Sequence, residues 1–86
     1  MCTMIVEKTG IEGSGKGTSG WFSVNQVNVS YDHPFHAPYD HALSLDFVNE
    51  SKGLDARVAV ELSPDSAQKL VESILSALEQ GKEQNL

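Results

Sequence analysis

Val27-Asn28-Val29-Ser30-Tyr31-Asp32-His33-Pro34-Phe35-His36-Ala37-Pro38-Tyr39-Asp40-His41-Ala42-Leu43-Ser44-Leu45-Asp46-Phe47 consists of two alternating runs around a centre rich in histidine and proline. A period of two places Val27, Val29, Tyr31 and His33 on one side of the first run, with Asn28, Ser30 and Asp32 on the other. In the second run Leu43, Leu45 and Phe47 alternate with Ser44 and Asp46, and His41 shares the apolar parity. Two half-buried strands with a short link between them favour an antiparallel hairpin. The spacing therefore predicts His33 and His41 as cross-strand neighbours at the strand ends, with His36 in the loop Pro34 to Asp40.

Downstream of this hairpin, Asn49-Glu50-Ser51-Lys52-Gly53 reads as a turn. Arg57 to Leu62 reads as another strand, with Val58, Val60 and Leu62 on its core face. Ser63 is a good N-cap, Pro64 suits the first helical position, and Asp65 complements the positive end of the dipole. Ala67, Leu70, Val71, Ile74, Leu75 and Leu78 recur every three and four residues, so the helix carries one apolar stripe, expected to cover a sheet face. It is expected to end near Gln80, with Gly81 as the left-handed cap. Upstream, Trp21 to Tyr31 is extended, with a change of phase at Asn25-Gln26 that marks a bulge or short turn. Thr3 to Lys8 is the first strand, and the breaker-rich Thr9 to Gly20 reads as a loop. The expected fold is α+β: about four antiparallel strands in a meander and one C-terminal helix packed on one sheet face, as a single domain over residues 1–86.

An 86-residue chain with 40% hydrophobic residues is too short for two independent cores. A domain of this size buries only about 60–65% of the surface its unfolded chain exposes, so a bound ion or an oligomer interface is expected to supply stability. One helix cannot cover a twisted four-stranded sheet, and Trp21, Phe22 and Phe35 lack an evident partner. Self-association through the uncovered face or an open edge strand follows as an expectation, making the protein a homo-oligomer. The net charge is −6 and the six basic residues are scattered. Without a basic stripe, neither nucleic acid nor an anionic membrane is an expected partner. Cys2 is the only cysteine, which fits a reducing compartment. The first residues lack the basic start and apolar run of a secretory signal, and no apolar run nears membrane-spanning length. The expected location is cytoplasmic.

Gly10-Ile11-Glu12-Gly13-Ser14-Gly15-Lys16-Gly17-Thr18 has the look of a phosphate-binding loop of the adenylate kinase type. Such a loop must open a helix whose first amides face the anion, whereas Ser19 to Val24 reads as turn and strand. A surface loop without a nucleotide is the expected role.

The segment Tyr31 to His41 holds all three histidines, both tyrosines and two of the three prolines. Pro34 and Pro38 restrict the loop, which lets His33, His36 and His41 converge at little ordering cost. Three neutral imidazoles with an open position suit a divalent transition metal, Zn, Cu, Ni or Fe, and resemble a catalytic more than a structural site. Asp32 and Asp40 are expected to fix ring tautomers as hydrogen-bond acceptors. Asp32, Cys2 or Glu7 is available as a fourth ligand, and Tyr31 and Tyr39 as lining for a small-molecule substrate. The alternatives are a histidine-rich turn without metal, and acid/base use of one histidine. A non-catalytic protein-interaction or accessory module, docking through the open sheet face and Trp21-Phe22, is the second functional expectation. No catalytic residue is assignable, because spacing fixes neither a nucleophile nor its partner.

Met1-Cys2-Thr3, Ile5-Val6-Glu7, Gly20-Trp21-Phe22, Asp32-His33-Pro34, His36-Ala37-Pro38-Tyr39, His41, Asp46-Phe47 and Arg57-Val58-Ala59-Val60-Glu61-Leu62 together give the chain a further character. Over nearly its whole length it resembles a family of small bacterial domains of unknown function. The resemblance implies a bacterial, intracellular origin and a glycine-rich segment that is not a strict phosphate-binding sequence. It implies no substrate or activity.

Overall fold

The computed structural model describes residues 5–33, 38, 40–53 and 56–85. Four strands, β1 (Ile5–Gly17), β2 (Gly20–Asp32), β3 (Ala42–Val48) and β4 (Arg57–Leu62), form one antiparallel sheet in the order β1-β2-β3-β4. The helix α1 (Pro64–Glu83) follows and packs on the sheet against β3 and β4. This is the α+β meander that the alternation predicts.

Register explains why the sheet has two unlike faces. Val29 lies opposite Leu45, which lies opposite Val60, and Val27, Phe47 and Val58 form the next such row. Tyr31, Leu43 and Leu62 complete the apolar face. On the other side Asn28 lies opposite Asp46 and Ser30 opposite Ser44. There Arg57 Nε donates to Asp46 Oδ1 at 2.7 Å, and this contact holds the guanidinium above its ordinary pKa. The guanidinium is largely in water, so such a pair contributes at most about 1 kcal/mol.

The glycine-rich segment is not the loop its composition suggests. β1 continues through it to Gly17 and pairs with β2 from Gly17↔Gly20 to Ile5↔Tyr31, across a two-residue Thr18-Ser19 turn. Gly20 has φ +116°, a value that side chains rarely adopt. One irregularity interrupts the ladder, with Ile11 and Glu12 of β1 set against Asn25 of β2. The expected change of phase is thus real, but the extra residue belongs to β1. A bulge bends and twists its strand. Beyond it β1 reaches β4, although the two are opposite edges of the sheet.

Gly15 sits at this crossing. A Cβ there would lie 3.1 Å from Val24 Cγ2, 3.5 Å from Val58 Cγ2 and 3.6 Å from the tip of Phe22. The absent side chain is what lets the ribbon curl over the apolar face and bury Val24, which is 4% exposed. Gly15→Leu is expected to lower stability by about 1–3 kcal/mol in urea denaturation, as overpacking generally does.

Asn49, 5% exposed, fastens the curled ribbon to the turn after β3. Its Nδ2 donates to Ser23 O at 2.9 Å, while its Oδ1 accepts from Ser51 N at 3.2 Å, Ser51 Oγ at 2.6 Å and Asn25 Nδ2 at 3.3 Å. The turn itself is a short 3-10 helix, Glu50–Lys52.

Ser63 caps α1 as expected, with Oγ accepting from Ser66 N at 3.2 Å and Ser63 O accepting from Ala67 N at 2.9 Å. Two finer expectations are corrected. The helix runs through Gly81 to Glu83, and the left-handed residue beyond it is Asn85, with φ 59°. Asparagine tolerates that region better than other side chains, so glycine is not required there. The apolar stripe does not cover the sheet either. Ala67 is its one buried member, and exposure runs from 40% at Leu70 to 62% at Leu75. The buried apolar residues among those described are Val24, Ala42, Ala56 and Ala67, with no large side chain fully buried.

Candidate functional site

The last pair of the β2–β3 ladder is Asp32↔Ala42. One step further out, the chain places His33 and His41 opposite each other, as parity predicts. Their ring centroids are 5.0 Å apart with planes inclined by 25°. Tyr31, two residues before His33 on the same side of β2, stacks on His41 at 5.6 Å and 13°. Tyr31, His41 and His33 therefore form one column of three rings at the end of the apolar face. Both histidines are exposed.

Two hydrogen bonds orient His33. Its backbone N–H donates to Asp32 Oδ1 at 2.8 Å, and its ring Nδ1 lies 2.9 Å from Asp40 O. A backbone carbonyl can only accept, so Nδ1 carries the proton in this contact, which in the neutral ring makes Nε2 the basic nitrogen. That is the tautomer a metal-ligating histidine takes when its other ring nitrogen is held by an outer acceptor. The expected roles of the two aspartates are thereby revised. Asp40 meets the His33 ring through its backbone carbonyl, and the Asp32 carboxylate accepts from the backbone N–H of His33.

Stacking also sets what has to move for the two rings to share an ion. An imidazole coordinates through a lone pair in its own plane, and nearly parallel planes aim those lone pairs side by side. A shared ion, with nitrogens about 2.0–2.1 Å from it, requires rotation of one ring. His33 is tethered through Asp40, so His41, turning off Tyr31, is the ring that adjusts.

The remaining expected ligands divide in two. His36 and Cys2 lie outside the described residues, as does Tyr39, the expected lining residue. Glu7 pairs with Val29, four residues along β2 from His33 and about 13 Å away, so the fold does not bring it to the histidines. Among the described residues no group of three or more His, Cys, Asp or Glu side chains is placed to hold a metal. Of the three histidines, the structure describes the facing pair His33 and His41, with Tyr31 stacked behind it.

An apolar recess of about 390 Å³ lies at the other end of the sheet. Ile11, Gly13, Trp21, Val24, Phe47 and Val58 line it beneath the curled ribbon. Trp21 stands at its edge, 71% exposed. Sequence reasoning missed this recess because it required Gly10–Gly17 to be a strand. The shared odd numbering of Ile11, Gly13 and Gly15 is the signal that was present.

Among the described residues, no helix is long and apolar enough to cross a membrane. Comparison with curated proteins and with solved structures finds no match. The sequence model of a family of unknown function, DUF6295, does match, over residues 1–86, and the chain belongs to that family.

Proposed function

We propose that the protein binds a divalent transition metal at the histidine end of the β2–β3 hairpin, through His33 and His41 with His36 as the third ligand. The observation that carries this reading is the Nδ1–H bond from His33 to Asp40 O beside the facing His41 ring. That bond favours the tautomer a ligating imidazole takes, and the His41 ring is the part that turns. Imidazole nitrogen suits Zn, Cu, Ni and Fe. Three such ligands leave a coordination position for water or a small molecule, the arrangement of metal-dependent enzymes. The single cysteine fits a reducing, cytoplasmic setting.

Elemental analysis of protein purified without chelators is expected to find about one such ion per chain. Protein that holds none, and that takes up none of the four metals on reconstitution at neutral pH, refutes the proposal.

A second reading has its own support in Trp21, a large aromatic side chain held in solvent at the rim of an apolar recess. Exposed aromatics of this kind anchor protein interfaces. Under this reading the protein is a non-catalytic interaction module, insensitive to chelators, and Trp21→Ala abolishes capture of its partner.

A further inference from the structure

The uncovered stripe of α1 is an apolar feature that the fold leaves unused. Leu70, Val71, Ile74, Leu75 and Leu78 are all between 40% and 62% exposed and form one face of a single helix. Most helical stability in water comes from packing such a face, so it needs an occupant.

The surface area says how large that occupant is. The chain exposes 6769 Å², about 1,800 Å² more than the roughly 5,000 Å² of a compact monomer of its mass. Its radius of gyration, 14.7 Å, likewise exceeds the ~12 Å of a compact 86-residue domain. Counted on two copies, the excess is about 3,600 Å², inside the ~2,000–5,000 Å² range of obligate homodimers.

The chain also carries the matching surface. The apolar face of β2, β3 and β4 remains half-exposed at Val29, Leu45 and Leu62 and exposed at Val60. The stripe from Ala67 to Leu78 is about 17 Å long and β3 about 23 Å, so one fits along the other. The helix meets its own sheet at β3 and β4 but buries only Ala67 of its stripe there, and its exit from β4 is tightly held. Only Ser63 separates Leu62 of β4 from Pro64 of α1, and that residue is fixed by the cap bonds to Ser66 and Ala67 and by the ring of Pro64.

We infer that the protein is a reciprocal homodimer in which the apolar stripe of each α1 lies on the apolar sheet face of the other copy. The contact is isologous, so each stripe residue is used twice. It goes beyond the metal proposal and does not depend on it.

Sedimentation equilibrium of the full chain, followed by the same measurement on Leu75→Glu and Val60→Glu, tests the inference. The expected mass of the unaltered chain at micromolar concentration is twice 9.3 kDa. Each substitution is expected to raise the dissociation constant by at least about a hundredfold, the effect of a charge at the centre of a buried contact. If the variants fail to fold, the thermal midpoint of the unaltered chain decides. It rises with protein concentration for a dimer and is independent of it for a monomer. A monomeric unaltered chain overturns the inference. So does a dimer that Leu75→Glu breaks and Val60→Glu leaves intact, which would place helix against helix.

Discussion

Asn49→Leu is expected to lower the stability of the protein by about 3 kcal/mol, read as a shift of the urea midpoint with an unchanged slope. Leucine has the branching of asparagine and is somewhat larger, so the loss is not a cavity effect. It comes from the groups left behind. Ser23 O loses its donor, and Ser51 N and Ser51 Oγ lose their acceptor, in part-buried bonds around a buried Asn49, although Ser23 and Ser51 themselves are exposed. Each buried polar group stripped of its partner costs about 1–3 kcal/mol, and partial access to solvent keeps the sum near the lower end. Asn25→Ala removes only the 3.3 Å contact to Asn49 Oδ1 from an exposed residue and is expected to cost less than about 1 kcal/mol. Equal losses in the two variants would show that Asn49 does not fasten the ribbon to the turn.

His33→Ala and His41→Ala are each expected to weaken binding of zinc by at least about a hundredfold, measured by competition with a chromophoric chelator. Together they are expected to abolish it. The two do not fail for the same reason. His33 is held by the Asp40 carbonyl through Nδ1, whereas His41 would have to leave its stack on Tyr31 to reach the same ion. Tyr31→Leu removes that stack and frees His41, so zinc is expected to bind as well as before or better. A metal bound only to the folded chain also stabilises it, by about 2.7 kcal/mol when free metal is a hundredfold above the dissociation constant. Zinc is therefore expected to raise the thermal midpoint of the unaltered chain and to leave that of the double variant in place.

Where local rules and tertiary structure agree, the chain is readable by eye. Arg57–Leu62 alternates without a break and lies between two turn segments, and it is a strand over that span. Ser63-Pro64-Asp65 satisfies three separate preferences of a helix start, and α1 begins there. The facing of His33 and His41 follows from parity alone, since both share the side of Tyr31 and Leu43. Gly10–Gly17 misleads because its glycines have weak local preference for a strand. Pairing with β2 decides the matter, and the glycines accommodate a bulge and a close approach that only the folded sheet reveals. Asn49 looks like any turn residue, and nothing nearby in the chain signals that its amide reaches Ser23. The stripe of α1 shows that the helix needs a partner surface, yet periodicity carries no information about which surface, and its own sheet takes up only Ala67.

The site stands or falls on whether the imidazoles of His33 and His41 act on one ion. Long-range nitrogen–proton correlation of the two rings during titration with zinc observes this at the atoms concerned. His33 is expected to show a proton on Nδ1 before metal is added. Nε2 of His33 and one nitrogen of His41 are then expected to shift together and saturate at one equivalent. Ring resonances that stay in place through the titration, or that respond at different zinc concentrations, contradict a shared site.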